Sequence, residues 1–311
     1  MLVALVGVVI FAATLPATRV AVAEFDPWWL ALARAELAAM LAAVALVVTG
    51  QRPPAREHWR GLALTALGVV LGFPLFSSIA MRSTDASHGA VISGLLPFAT
   101  VVAATLRSGE RPAPSFWFAA FAGSAVVVAF ALRNGGGALH SGDWAMLAAV
   151  AGGALGYAEG GRLARSLGGW QTIAWALVFS APVLALPTLW LSLAQPFSSA
   201  SPGAWAGFLY VSVFSQLIGF LVWYAGMAIG GVARVSQVQL LQLFFTLIFA
   251  WWLLDEAVDA TTWLVAGLVV LLIAVGRRAP IRHAGAPPLD HGRQDRHGLA
   301  GNDRRKRAVE R

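Results

Sequence analysis

Apolar residues along this chain gather into long runs separated by short polar loops. The runs fall at roughly 2–18, 28–48, 61–81, 86–106, 114–132, 143–162, 171–193, 205–227, 235–254 and 260–276. A helix needs about 20 apolar residues to cross the hydrocarbon of a bilayer, and most of these runs approach that length. Runs such as 264–275 lack the period-two alternation of a membrane β-barrel. The pattern predicts an all-α integral membrane protein with ten transmembrane helices. Ala21-Val22-Ala23 has the small-x-small form of a cleavage site, but no basic side chain precedes the first run, so that helix is expected to be retained.

The runs fall into two sets of five that repeat each other. Met81 and Met227 stand 146 positions apart, and so do Glu110 and Glu256. In that register Pro97-Phe98 faces Leu243-Phe244 and Thr100 faces Thr246. Because five is odd, the second copy must enter the membrane upside down. Two inverted five-helix repeats are therefore expected, 1–137 and 138–278. Inverted repeats are a mark of transporters that alternate access around a site near the bilayer midplane. Residues 279–311 carry Gly, Pro, His and charges without hydrophobic periodicity, and are expected to be a disordered basic tail.

Composition agrees with the membrane class: 58% of residues are hydrophobic and only 12% charged, against about 25% charged in a soluble domain. Mean hydropathy is +0.71. There is no cysteine, which excludes thiolate metal sites and disulfides. A basic pI suggests nucleic acid, but the basic residues lie in loops and the tail, where topology explains them. With the N-terminus inside, eighteen Lys and Arg fall on the inner side and three, Arg19, Arg82 and Arg133, on the outer. The positive-inside rule then places both termini in the cytoplasm of a bacterial-type inner membrane.

Ionisable groups within the spans are the first functional candidates. Arg34 is open to three readings: reaching the interface along its own stem, capping a carbonyl end, or attracting an anionic substrate. Glu36, two residues on, lies on nearly the opposite face and cannot pair with it. Glu159 sits among glycines beside Tyr157 and Arg162. A local ion pair and a proton-coupling carboxylate are both open for it. Ser236, Gln239, Gln242 and Thr246 share about a third of one helix circumference. Ser93 and Thr100 stand at the matched positions, with Pro97 between them removing a backbone hydrogen bond. Ser212, Gln216, Phe220 and Trp223 share a face of the eighth run, with Tyr224 beside them. Interhelical hydrogen bonding explains any one of these residues. The matched stripes together predict a shared cavity.

These residues resemble the drug/metabolite transporter superfamily, in its EamA-type branch. The resemblance rests on the duplicated five-helix halves and on Ala80-Met81-Arg82 leading to Leu95-Leu96-Pro97-Phe98. It rests also on Gly109-Glu110-Arg111, Leu254-Asp255-Glu256, the string from Gly156 to Arg162 and the run from Arg234 to Gln242. It covers about residues 1–277. It implies a central cavity between the halves, no bound cofactor, and export or exchange of amino acids, metabolites or drugs. The branch usually has Pro directly after the position of Gln242, where this chain has Leu243.

The expected function is thus secondary transport, outward, of a small organic solute by alternating access, with no enzyme activity. The expected partners are that small-molecule substrate and membrane lipid, without nucleic acid; a homodimer is left open. Two rival readings are an intramembrane enzyme acting on a lipid headgroup and a structural membrane scaffold.

Overall fold

A computed structural model of the protein describes residues 2–108, 111–112, 114–134, 136, 138–195, 197–230, 238–277 and 281–282. Its helices are, in chain order, α1 (Leu2–Val22), α2 (Pro27–Val48), α3 (Arg56–Met81), α4 (Ala86–Leu106), α5 (Pro114–Asn134), α6 (Ser141–Leu167), α7 (Gly169–Ser192), α8 (Pro202–Ile229), α9 (Leu240–Leu254) and α10 (Ala260–Arg277). Among the described residues, α1, α2, α3, α4, α7 and α8 are long and apolar enough to cross a membrane. Phe121–Arg133, Leu240–Leu254 and Ala260–Leu272 are shorter apolar helices. Helix α6 carries Asp143, Glu159, Arg162 and Arg165 and falls outside both groups. The protein is thus all-helical apart from a two-residue antiparallel pairing of β1 (Arg111–Pro112) with β2 (Ile281–Arg282). That pairing ties two residues of the tail to the loop after α4.

Helix starts follow their capping residues. Asp26 accepts hydrogen bonds from the backbone of Trp28 and Trp29 at 2.9 and 3.1 Å, with Pro27 at the first helical position of α2. Ser201 caps α8 in the same way ahead of Pro202. At the start of α6, Asp143 accepts from the His140 backbone at 2.9 Å, half of a reciprocal capping box. Helix α9 stops at Asp255, whose φ of 51° is left-handed, a conformation that short acidic side chains tolerate.

Packing needs little side-chain volume where α3 crosses α6. A Cβ on Gly68 would lie 2.5 Å from the backbone of Gly152 and Gly156. Small residues spaced four apart let the two backbones touch, the usual way helices associate without a hydrophobic drive between them. Around this crossing, α4 also packs on α6, α1 on α8 and α9, α7 along α2 and α8, and α10 along α5. Two helices change pitch. Residues Ala66–Gly72 of α3 and Tyr210–Gly219 of α8 are π-helical, and the first segment moved by 146 positions lands inside the second. A π turn inserts a residue into the i→i−4 ladder and is common at functional sites.

Candidate functional site

Between these helices lies a narrow cavity of about 20 Å³, room for about one water. Its walls come from Phe11, Thr14 and Leu15 of α1, Arg34 of α2, Val69, Phe73 and Pro74 of α3, and Ser93 of α4. Tyr157 of α6, Ser215, Gln216 and Phe220 of α8, and Gln242 of α9 complete them. A second space of about 10 Å³ shares Ser93 and Gln242 with it and is further lined by Pro97, Gln239 and Leu243.

Among the described residues, Arg34 is the only Lys, Arg, Asp or Glu in the lining of the larger cavity. It is 1% exposed. An arginine at the centre of a membrane helix costs about 2.5–3.5 kcal/mol to insert, so its surroundings matter. Its Nη2 donates to Ser215 Oγ at 3.2 Å, and Ser215 Oγ in turn lies 2.9 Å from Thr14 Oγ1. Arg34 Nε and Nη1 have no hydrogen-bond partner among the described residues. The π turn of α8 accounts for Ser215. A regular helix would present Ser212 with Gln216 on one face, but Ser212 instead donates to its own helix at Phe208. The extra residue brings Ser215 to the cavity beside Gln216. Gln216 donates to the carbonyl of Val69, 3.0 Å away in the π turn of α3. That bond joins the two irregular segments and leaves Gln216 Oε1 without a donor.

The same lining carries an aromatic wall. Phe11 meets Phe220 edge-on at 4.9 Å, and Tyr157 meets Phe220 at 5.8 Å. Trp223 packs behind Phe11 and Tyr157, at 6.2 and 5.8 Å.

Both helices that carry the matched stripes are interrupted. Helix α4 opens into a turn at Gly94-Leu95, where Pro97 can supply no N–H to the preceding turn. Gln239 is likewise a turn residue, just before α9. Leu243 replaces the expected proline, yet the chain still breaks. Leu243 Cδ2 lies 3.3 Å from where a Cβ on Gly94 would stand, so the leucine packs into the turn of α4. Ser93 and Gln239, 146 positions apart, both line the smaller space.

The structure thus brings together Arg34, Ser93, Pro97, Tyr157, Gln216, Gln239 and Gln242. It does not bring Thr100 and Thr246 to either space. Each donates to its own helix, at Leu96 and Gln242 respectively, because a threonine in a helix finds its i−4 carbonyl first. Tyr224 donates to the Gly156 carbonyl at 3.0 Å and is fully buried, a bridge from α8 to α6. Trp223 stands behind the wall. Ser236 lies outside the described residues. Glu159 is 1% exposed and accepts from Arg162 Nε at 3.2 Å. Its ion pair with Arg162 rests against Gly61, where a Cβ would come within 2.7 Å of the carboxylate. Sequence reasoning placed Phe220 on the face of Gln216 but missed Thr14, Ser215, Phe11 and Phe73. The polar pair carried no periodic signal, and phenylalanines in apolar helices carry none either.

A different cluster forms at the end of the bundle where α1 stops and α4 starts. Glu256, just past the left-handed Asp255, accepts from the backbone of Ala86 and Ser87, each at 2.8 Å. It thereby caps α4 with a charge that suits the positive helix end. Arg19 joins it: Nη2 meets Asp85 at 2.7 Å, Nε stands 3.6 Å from Glu256, and Nη1 donates to the carbonyls of Met81 and Thr84. Nearby, His88 pairs with Asp143 at 2.7 Å. At the same end Glu24 accepts from Ser201, which holds its carboxyl below the usual range. Asp259 is held low by the Thr262 hydroxyl and then by its backbone N–H.

Comparison with known proteins agrees with this architecture. The profile of the EamA-like transporter family matches residues 1–132 and again 140–275. The chain is 45% identical over 273 residues to the uncharacterized transporter YdeK of Bacillus subtilis, covering 88% of this chain and 95% of that one. It is 27% identical over 241 residues to a probable terminal-alkyne amino-acid exporter of Streptantibioticus cattleyicolor, covering 76% and 78%. A solved crystal structure, described only as that of a protein, shares the fold at a TM-score of 0.62 and 18% identity, over 88% of this chain and 94% of that one. The cavity built by helices from both halves thus sits in a multi-pass membrane protein, and the chain belongs to the EamA-like transporter family.

Proposed function

We propose that this transporter moves a small organic solute outward by alternating access around the cavity at Arg34, Tyr157 and Gln216. The reading takes the chain as ten transmembrane helices in two inverted five-helix repeats, 1–137 and 138–278, that rock about the site. One observation carries it: the walls come from both halves, at positions related by the 146-residue offset. Ser93 matches Gln239, and the π turn of α3 matches that of α8. Helix irregularities of this kind are tolerated at membrane depth where they line a cavity. The Arg19 end is read as external and both termini as cytoplasmic, in a bacterial inner membrane, on the distribution of basic residues. The name of the Streptantibioticus relative makes amino acids one solute class to try first.

Flux in proteoliposomes containing the purified protein tests the reading. Concentrative or exchange flux of an amino acid or related metabolite is expected. An enzyme acting on a lipid headgroup would instead change lipid composition without flux, and a scaffold would do neither. Orientation is checked with single cysteines, since the chain has none of its own. Position 107 should be protected from external reagent and position 259 labelled. The opposite result reverses the topology.

A further inference from the structure

We propose that the cavity is an organic-anion site in which Arg34 receives the carboxylate of its ligand, while Phe11, Tyr157 and Phe220 hold the ligand's apolar part. The proposal rests on the transport reading for its biological use, but not for its chemistry.

Three observations converge on it. The guanidinium is buried, yet only Nη2 has a protein partner; Nε and Nη1 have none among the described residues. Arginine carries five N–H donors in a planar fork whose two bidentate edges pair Nη2 with Nε or with Nη1; Nη2 has a second N–H beside the one given to Ser215, so one edge can still meet a carboxylate. Among the described residues, no carboxylate stands in the cavity lining to neutralise the charge. Glu36 lies on nearly the opposite face of α2, and Glu159 is engaged by Arg162. A buried charge is tolerated when a partner meets it, and here a ligand is the available source. Finally, the surroundings are both polar and aromatic. Thr14 and Ser215 are linked to Arg34 by hydrogen bonds, and Gln216, Phe11, Tyr157 and Phe220 line the same cavity. The lining suits a short amphipathic acid better than an inorganic anion, which would gain nothing from the rings, and the narrow space of about 20 Å³ must widen to admit such an acid. The free acceptor Gln216 Oε1 suits an N–H donor on the same ligand.

The test measures thermal unfolding and tryptophan fluorescence of the purified full-length protein with matched probes. These are 3-phenylpropanoate and octanoate as plain acids, phenylalanine and leucine as zwitterions, and phenethylamine and leucinamide as controls without a carboxylate. Carboxylate probes should stabilise the protein saturably, and the amine and amide should not. Preference for zwitterions over plain acids would assign Gln216 the amino group; equal binding would leave the carboxylate as the whole recognition element. Arg34→Gln should weaken binding by about 30-fold or more, as expected when a buried charge loses its partner, and Arg34→Lys should retain part of it. The proposal is overturned if amines and amides stabilise as well as acids, if no carboxylate binds, or if binding survives Arg34→Gln. Should Arg34→Gln fail to fold, the probe comparison on the unaltered protein still decides. Carboxylate binding without flux in proteoliposomes would remove the transport reading and leave the anion site. Flux indifferent to the carboxylate would do the reverse.

Discussion

Arg19 and Arg34 sit in the same bundle and are treated oppositely by it. Arg19 has an ion pair, a second carboxylate nearby and two carbonyls, so its nitrogens are used up within the protein. Arg34 is more deeply buried and has one hydroxyl. If burial alone set the demand for partners, the order would be reversed. The first cluster fastens helices together, while the second, under the anion-site proposal, keeps binding capacity in reserve. Glu256 makes the contrast sharper. It reaches from the end of α9 to cap α4, so the cluster joins helices from both halves.

The largest effect should come from breaking the fastened cluster. Glu256→Ala leaves two capped N–H groups and one face of Arg19 without partners. A loss of about 2–3 kcal/mol is expected from hydrogen bonds to a charged group, read as a lowered midpoint of thermal unfolding. A double-mutant cycle with Arg19→Ala should show the two losses to be less than additive. Full additivity would mean that the cluster is not a unit.

Arg34 should respond with the opposite sign. Arg34→Met removes a charge that the protein does not neutralise, and replacing buried ionic groups by apolar ones is often neutral or stabilising by about 1–4 kcal/mol. Unfolding at an unchanged or higher temperature, together with lost solute binding, is expected. A drop as large as that of Glu256→Ala would make Arg34 a structural residue and erase the comparison.

Within the cavity the stripe of α9 gives a smaller test. Gln239→Leu should weaken apparent affinity by up to about tenfold, the range of one neutral hydrogen bond, without loss of folded protein. Leu240→Gln should harm stability more, because Leu240 is buried and its polar replacement would need a partner. Cysteines at 239 and 242 should react with aqueous reagent and be protected by solute, and one at 248 should not.

The Glu159–Arg162 pair separates a fastening role from a coupling role. If the carboxylate couples a proton, Glu159→Gln shifts the pH dependence of flux while Arg162→Ala does not. Equal losses with an unmoved profile would put the pair with the Arg19 cluster.

The smallest effect concerns pH at the Arg19 end. Glu24 and Asp259 have folded values lowered by Ser201 and Thr262. A lowered carboxyl lends stability that is complete above its unfolded value and is lost as pH falls through the folded one. A modest decline of the unfolding midpoint is therefore expected only in acid, below the usual carboxylate range, and Thr262→Ala should reduce the part due to Asp259.

Much of this organisation was legible in the residues. The apolar runs set the helices, because nothing but a helix satisfies a lone segment's backbone in lipid. The 146-residue offset tied Ser93 to Gln239 and so pointed to both spaces, since duplicated segments place equivalent residues at equivalent depths. The resemblance carried by Leu95-Leu96-Pro97-Phe98 and Leu254-Asp255-Glu256 agreed with the family that the comparisons identify. Glu256 stood within those motifs without a role, because its partners are the backbone of α4, some 170 residues away.

What the sequence could not decide was where each side chain ends. A regular helical wheel puts Ser212 with Gln216 and sends Ser215 elsewhere, but the π turn changes that register. Thr100 and Thr246 match in sequence and still turn back on their own carbonyls, a choice made by local hydrogen bonding. For Arg34 the sequence could not show that Ser215 would be its sole protein hydrogen-bond partner among the described residues. Periodicity, charge and repetition along the chain determine which segments enter the membrane and which positions correspond. Whether a buried polar atom is satisfied depends on groups far away in sequence, and only the tertiary structure brings those within 3 Å.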